Sequence, residues 1–144
     1  RDGAGMAACY HRDLVFHDPA FETLNADEAG AMWIMLCDRA TDLGVAVSDV
    51  KADDTTGSAN WDARYTFGRT RRPVRNQISA VFRFRDGLIV EHVDDFSFWR
   101  WSRQALGMIG LLLGWSPWLR RRIRAEARRG LTEYMARRSS DRAT

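Results

Sequence analysis

"ISAVFRFRDGLIVEHVDDF", Ile78 to Phe96, decides the reading of the fold. At its centre stands Asp86-Gly87, a tight-turn dipeptide, because the middle positions of a two-residue hairpin loop need positive φ and these residue types tolerate it. Hydrophobic and polar residues alternate on either side, as half-buried antiparallel strands require. Before the turn, Ile78, Ala80, Phe82 and Phe84 share one face, opposed by Ser79, Val81, Arg83 and Arg85. After it, His92, Asp94 and Phe96 lie on one side, and Glu91, Val93 and Asp95 on the other. His92 and Asp94, two positions apart, place their Cα atoms about 6.5–7 Å apart on a single face.

Working outward, "VAVSDVKADD" (45–54) and "ANWDARYTFGR" (59–69) supply two further strands. In the second, Trp61, Ala63, Tyr65 and Phe67 oppose Asn60, Asp62, Arg64 and Thr66, so the three segments form a meander with one wet and one aromatic-rich face. Upstream, "DLVFHDP" is a short strand stopped at Asp18-Pro19, since proline cannot extend a ladder. "NADEAGAMWIMLCDRATDLG" reads as a helix capped by Asn25 or Asp27, with an Ala29, Met32, Trp33, Leu36, Cys37 stripe and a stop at Gly44. The opening "RDGAGMAACY" reads as the tail of a helical region, with a preceding segment expected before Arg1. A helix ahead of such a sheet packs on its apolar face, which makes the class α+β.

After Trp101 the period turns helical. "SRQALGMIGLLLG" (102–114) is apolar nearly all round, and Ser116-Pro117 starts another helix with Ser as cap and Pro in the first turn. That helix carries a Leu119, Ile123, Ala127, Leu131, Tyr134 stripe with most arginines off it. Residues 1–100 hold 12 basic and 16 acidic side chains, a net of −4, whereas residues 101–144 hold 10 and 3, a net of +7. The arginine helix is expected to pack its stripe on the domain or a second subunit. A membrane-surface role is the less favoured reading, and nucleic acid is not expected, because the basic residues interleave with no aromatic reading face.

With 45% hydrophobic and 28% charged residues over 144 positions, the chain falls in the ordinary range of one globular domain. No run approaches the roughly eighteen apolar residues of a membrane span, and no secretory signal is visible. Two cysteines, Cys9 and Cys37, are too few for a disulfide framework and read as buried free thiols in a reducing, cytoplasmic compartment. No His, Cys and carboxylate cluster shows metal-ligand spacing, and neither a phosphate-binding glycine loop nor a serine elbow occurs. Neither metal nor cofactor is expected.

"ACYHRDLVFHDPAF" (8–21) and the hairpin at 78–96 together resemble the nuclear transport factor 2-like superfamily, which includes ketosteroid isomerases, SnoaL-like polyketide cyclases and limonene epoxide hydrolases. The resemblance implies a cone: a curved antiparallel β-sheet wrapped around N-terminal helices, here with extra C-terminal helices. Residues 1–101 would be the cone domain, lacking its first helix, 102–138 a helical extension and 139–144 a polar tail. In the isomerases the Asp before Pro is the base that shuttles a proton α to a carbonyl; the matching residue is Asp18. Their oxyanion Tyr would fall before Arg1, and their strand Asp falls on Ala80, which donates no hydrogen bond, so steroid isomerase chemistry is not expected. The epoxide hydrolases' Arg-x-Asp and last-strand Asp meet "NWDAR" and Ser97, so that pattern is absent too.

The same register implies that His92 and Asp94 face a ligand cavity walled by Phe16, Trp33, Trp61, Tyr65, Ile78, Phe82 and Phe96. The candidate catalytic residues are Asp18, His92 and Asp94, with Asp18 or Asp94 as base and His92 as partner. His11 and His17 are expected at the surface. The expected ligand is an apolar or polycyclic small molecule, acted on by cofactor-independent isomerase, cyclase or hydratase chemistry, in a homodimer. The alternative is a non-catalytic dimerising or accessory domain, in which Asp94 accepts a bond from His92 merely to close the cone and Asp18 is a turn residue bonding local amides.

Overall fold

Asp86 and Gly87, at φ 54° and 76°, form the turn that fixes the centre of the sheet. The chain, described in a computed structural model over residues 2–142, runs α1 (Gly3–Ala8), β1 (Tyr10–Asp18), β2 (Glu22–Leu24), α2 (Ala26–Arg39), β3 (Gly44–Ala52), β4 (Thr56–Phe67), β5 (Arg72–Arg85), β6 (Leu88–Asp95), α3 (Phe98–Leu106), α4 (Met108–Leu113) and α5 (Pro117–Arg142). Arg1 and the last two residues of the polar tail lie outside the described residues. The strands make one curved, unclosed sheet in the order β2-β1-β6-β5-β4-β3. All pairings are antiparallel except β1 against β6, which is parallel. This is the α+β architecture read from the hairpin.

Register carries the inner face across the sheet in rows. Gly57, Phe82, His92, Phe16 and Leu24 stand abreast on successive strands, and Ala59, Ala80 and Asp94 form the neighbouring row. α2 covers the β1–β2 end of this face. Asn25 caps it through a capping box with Glu28, each side chain accepting from the other residue's backbone N–H. Its buried Ala29, Met32 and Met35 meet Leu14, Phe16 and Leu24 in the main core. Each large side chain fully withdrawn there stabilises by about 1.5–3 kcal/mol. A second cluster, Val74, Phe98, Trp101 and Ala105, joins α3 to the sheet near the β4–β5 turn.

α5 ties the two clusters together. Ser116 Oγ accepts from the Leu119 amide at its start, and the expected stripe is inward, with Leu119 and Leu131 buried. Ile123 packs on the second cluster and Ala127, Leu131 and Tyr134 on the first. Arg124 donates to the Pro19 carbonyl and Glu22, and Arg128 to the Thr23 carbonyl and Glu28, so the helix is pinned beside Asp18.

Several expectations are corrected. α2 ends at Arg39, well short of Gly44, which instead opens β3; Trp33, Leu36 and Cys37 are only half-buried while Met35 is buried. The apolar segment 102–114 is two helices, broken at Gly107 (φ 62°), and α4 is largely exposed. Gly110 lets α4 touch α3: a Cβ there would lie 1.9 Å from the Ser102 carbonyl oxygen. α5 continues through Arg142 into what reads as polar tail. Both cysteines are free, but Cys9 is exposed and Cys37 half-buried rather than buried.

Candidate active site

β1 and β6 run side by side, and the first and last polar residues of the site sit on them. Phe16 pairs with His92 and His17 with Val93, and Asp18, next along β1 on the inner face, lies near enough to Asp94 for the two to interact electrostatically. His92 is wholly buried and Asp94 only 4% exposed, as the alternation of the closing strand requires. Phe16 meets the imidazole edge-on, Phe82 tilts against it, and Trp33 stacks over it at 6.2 Å.

An unbroken chain of hydrogen bonds runs through that imidazole. Asp94 Oδ1 accepts from His92 Nε2 at 2.9 Å and from the Trp61 indole N–H at 3.3 Å. Because a carboxylate only accepts, Nε2 carries a proton in this arrangement, and Nδ1 shares a hydrogen bond with the Tyr10 hydroxyl at 2.8 Å. The Tyr10 oxygen in turn accepts from the Trp33 indole N–H at 2.6 Å. Burial holds the Tyr10 phenol protonated, well above its ordinary range. Both ring nitrogens of His92 are thus committed to hydrogen bonds.

Asp18 ends β1 as a turn residue. Its Oδ1 accepts from the Ala20 and Phe21 amides, in agreement with the local-amide reading, yet the group is buried and lies near Asp94. Burial pushes its pKa up to about 6, with the nearby Asp94 charge adding to the rise and the two amides opposing it. Every buried side-chain oxygen and nitrogen among the described residues has a partner. Oδ2 of Asp18 and Oδ2 of Asp94, for which no hydrogen bond is described, therefore keep a trace of solvent contact, although the two residues are only 8% and 4% exposed. Two carboxyl groups so placed, each fixed by one oxygen and open at the other, can exchange a proton with a bound molecule.

The expected pocket wall divides in two. Phe16, Trp33 and Phe82 surround His92, and Trp61 touches Asp94. Ile78 pairs with Trp61 one row on. Tyr65 and Phe96 instead join the second cluster, where the Tyr65 hydroxyl accepts from the Trp101 indole at 2.9 Å. Trp61, Ile78, Phe82 and Phe84 remain half-buried, and Val45 and Val47, abreast of Ala63 and Trp61 on β3, are half-exposed. The concave face is therefore uncovered over β3 and β4. Two shallow surface hollows lie elsewhere, one between α1 and α2 at Ala4 and Ile34, the other beside the β4–β5 turn at Tyr65, Val74 and Gln104.

Tyr10 was missed by the sequence reading, which sought a phenol ahead of Arg1. Asp62 and Arg64, nearest to an epoxide hydrolase pattern, lie on the outer face, where Asp62 pairs with Arg64 and Arg75. His17 is exposed as expected, while the His11 ring is largely covered, against Arg85 and the Asp13 amide. No three His, Cys, Asp or Glu side chains among the described residues converge as metal ligands.

The sequence profile of the SnoaL-like domain matches residues 1–92. No curated protein matches the chain. Among solved structures, an NTF2-like protein of unknown function from Burkholderia pseudomallei superposes with a TM-score of 0.62 at 17% identity, over 74% of this chain and 87% of that one. A protein with a ketosteroid isomerase-like fold from Catenulispora acidiphila, in complex with trimethylamine, gives 0.62 at 11% identity, over 72% and 82%. An LEH-like epoxide hydrolase of M. tuberculosis gives 0.60 at 19% identity, over 78% and 84%. At these identities the likeness is one of fold.

Proposed function

The chain belongs to the SnoaL-like domain family of the nuclear transport factor 2-like superfamily, and on that premise we propose that it binds an apolar ring-containing carbonyl compound and moves a proton at the carbon beside the carbonyl. The observation that carries the reading is the pair Asp18 and Asp94, close enough on the concave face to interact electrostatically, each held by one oxygen and open at the other. The ring system lies against Trp61, Ile78 and Phe82, apolar walls with a few polar groups, the usual make-up of a small-molecule site. Trp61, whose bond to Asp94 is long at 3.3 Å, is the wall that yields to admit it.

In this reading Asp18 Oδ2 takes the α-proton while the C–H electron pair moves into the carbon–carbon bond and the carbonyl π pair onto oxygen, giving an enolate. Return of a proton from Asp18 to carbon completes the exchange, needing neither oxidant nor cofactor. A pKa of about 6 suits a base working near neutral pH. Asp94, oriented by His92 and bearing electrostatically on Asp18, is the second proton-carrying group. Deuterium uptake into α-tetralone in D2O, followed by NMR, is expected to be accelerated by the protein with an apparent pKa near 6. Asp94→Asn keeps both acceptor contacts of Oδ1 and the fold, and is expected to lower the acceleration by about 10²–10⁴. No acceleration above buffer by the wild type would overturn the reading.

The complete burial of His92, with both ring nitrogens bonded, favours a second reading, a non-catalytic dimerising domain whose polar chain only closes the cone. That reading gives no uptake with wild type or variant, and twice the monomer mass by light scattering whether or not the ketone is present.

A further inference from the structure

We propose that the α3–α4–α5 corner is a docking element for an anionic lipid surface. Met108, Ile109, Leu112, Trp115 and Trp118, all within residues 108–118, are 57–68% exposed. Isolated exposed apolar residues are ordinary, but a contiguous set of this size marks an interaction site. It does not come from α5's stripe, which is spent on the two cores. α4 is instead held out from the body by the backbone break at Gly107 and the close contact of Gly110 with Ser102.

The charge around the patch identifies the partner. No acidic residue occurs between Asp95 and Glu126, and six arginines do. Arg124 is engaged with Glu22, but Arg100, Arg103, Arg120, Arg121 and Arg122 take part in none of the ion pairs among the described residues. Two of them lie over the tryptophans of the same corner, Arg103 over Trp99 at 5.1 Å and Arg122 over Trp118 at 5.5 Å. Apolar side chains that enter the acyl boundary, indoles at headgroup depth and arginines able to meet lipid phosphates are the make-up of an interfacial element. A second copy fits worse, because a two-fold contact through this face would bring two arginine rims together. Spanning is not implied, since no described helix is long and apolar enough to cross a membrane.

Sedimentation of the 144-residue chain with vesicles tests this. Phosphatidylcholine vesicles with about 30% phosphatidylglycerol are expected to pellet the protein, pure phosphatidylcholine much less, and about 0.5 M salt to weaken the binding. Replacing Arg120, Arg121 and Arg122 by Gln is expected to lower the partition constant on the order of a hundredfold. Leu112→Glu with Trp115→Glu is expected to abolish binding with unchanged circular dichroism, the sites being exposed. Brominated lipid should quench wild-type tryptophan emission, and much less so once Trp115 and Trp118 are both Phe. A protein that stays in the supernatant with both vesicle types overturns the proposal. So does a dimer by light scattering that Leu112→Glu dissolves, since the patch would then be an interface between copies.

Discussion

Replacing His92 with alanine is expected to lower the free energy of unfolding by about 4 kcal/mol in urea titrations. The imidazole is completely buried and joins Tyr10 to Asp94, so its removal does three things together. It leaves the Tyr10 hydroxyl without its His92 partner, strips Asp94 of its shortest hydrogen bond, and opens a cavity between Phe16, Phe82 and Trp33. An unpaired buried polar group costs about 1–3 kcal/mol, two such groups are left here, and the cavity adds to both. Partial relaxation keeps the total from being the sum. Tyr10→Phe, which leaves only the neutral ends of the chain unpaired, should cost less, about 2 kcal/mol. An alanine variant as stable as wild type would show that the chain does not order this core.

The opposite sign is expected at Asp18. Its folded pKa of about 6 stands above the ordinary carboxylate value of 3.8, so between those values the folded state binds more protons than the unfolded one. Stability therefore falls as pH rises from about 4 to about 6, and the full penalty, at most about 3 kcal/mol for a shift of roughly two units, persists at neutral pH. Asp18→Asn keeps the oxygen that accepts from the Ala20 and Phe21 amides and cannot ionise. Above pH 7 it is expected to be more stable than wild type by up to about 3 kcal/mol, with the gap closing below pH 4, while deuterium uptake into α-tetralone is lost. A gain in stability coupled to a loss of turnover is the mark of a group kept charged at a cost for its chemistry. Identical pH–stability curves for the two proteins would contradict the assignment.

The fold and the inward direction of His92 and Asp94 were legible because strand alternation and the Asp86-Gly87 turn are local signals. Asp18 was legible through the proline that follows it. Tyr10 was not, for two physical reasons. The pairing of β1 with β6 slips between Tyr10 and Val15, which breaks the count along the strand, and the phenol's partner is 82 residues away. The apolar segment 102–114 reads as one helix, but Gly107 breaks it, and Ile109 and Leu112 of α4 are exposed. The register carried by the resemblance places Tyr65 and Phe96 with the pocket, although both pack on the α3 cluster of Phe98 and Trp101.

That ligands meet this protein on the concave face, beside Asp94, is tested most directly by the indole N–H resonances of its six tryptophans during a titration with α-tetralone. The Trp61 signal is expected to shift progressively and saturably, together with the amides of Gly57 and Ala59 on the same strand face, while Trp99, Trp115 and Trp118 stay in place. Shifts confined to those three, with Trp61 unmoved at saturating ketone, would contradict it.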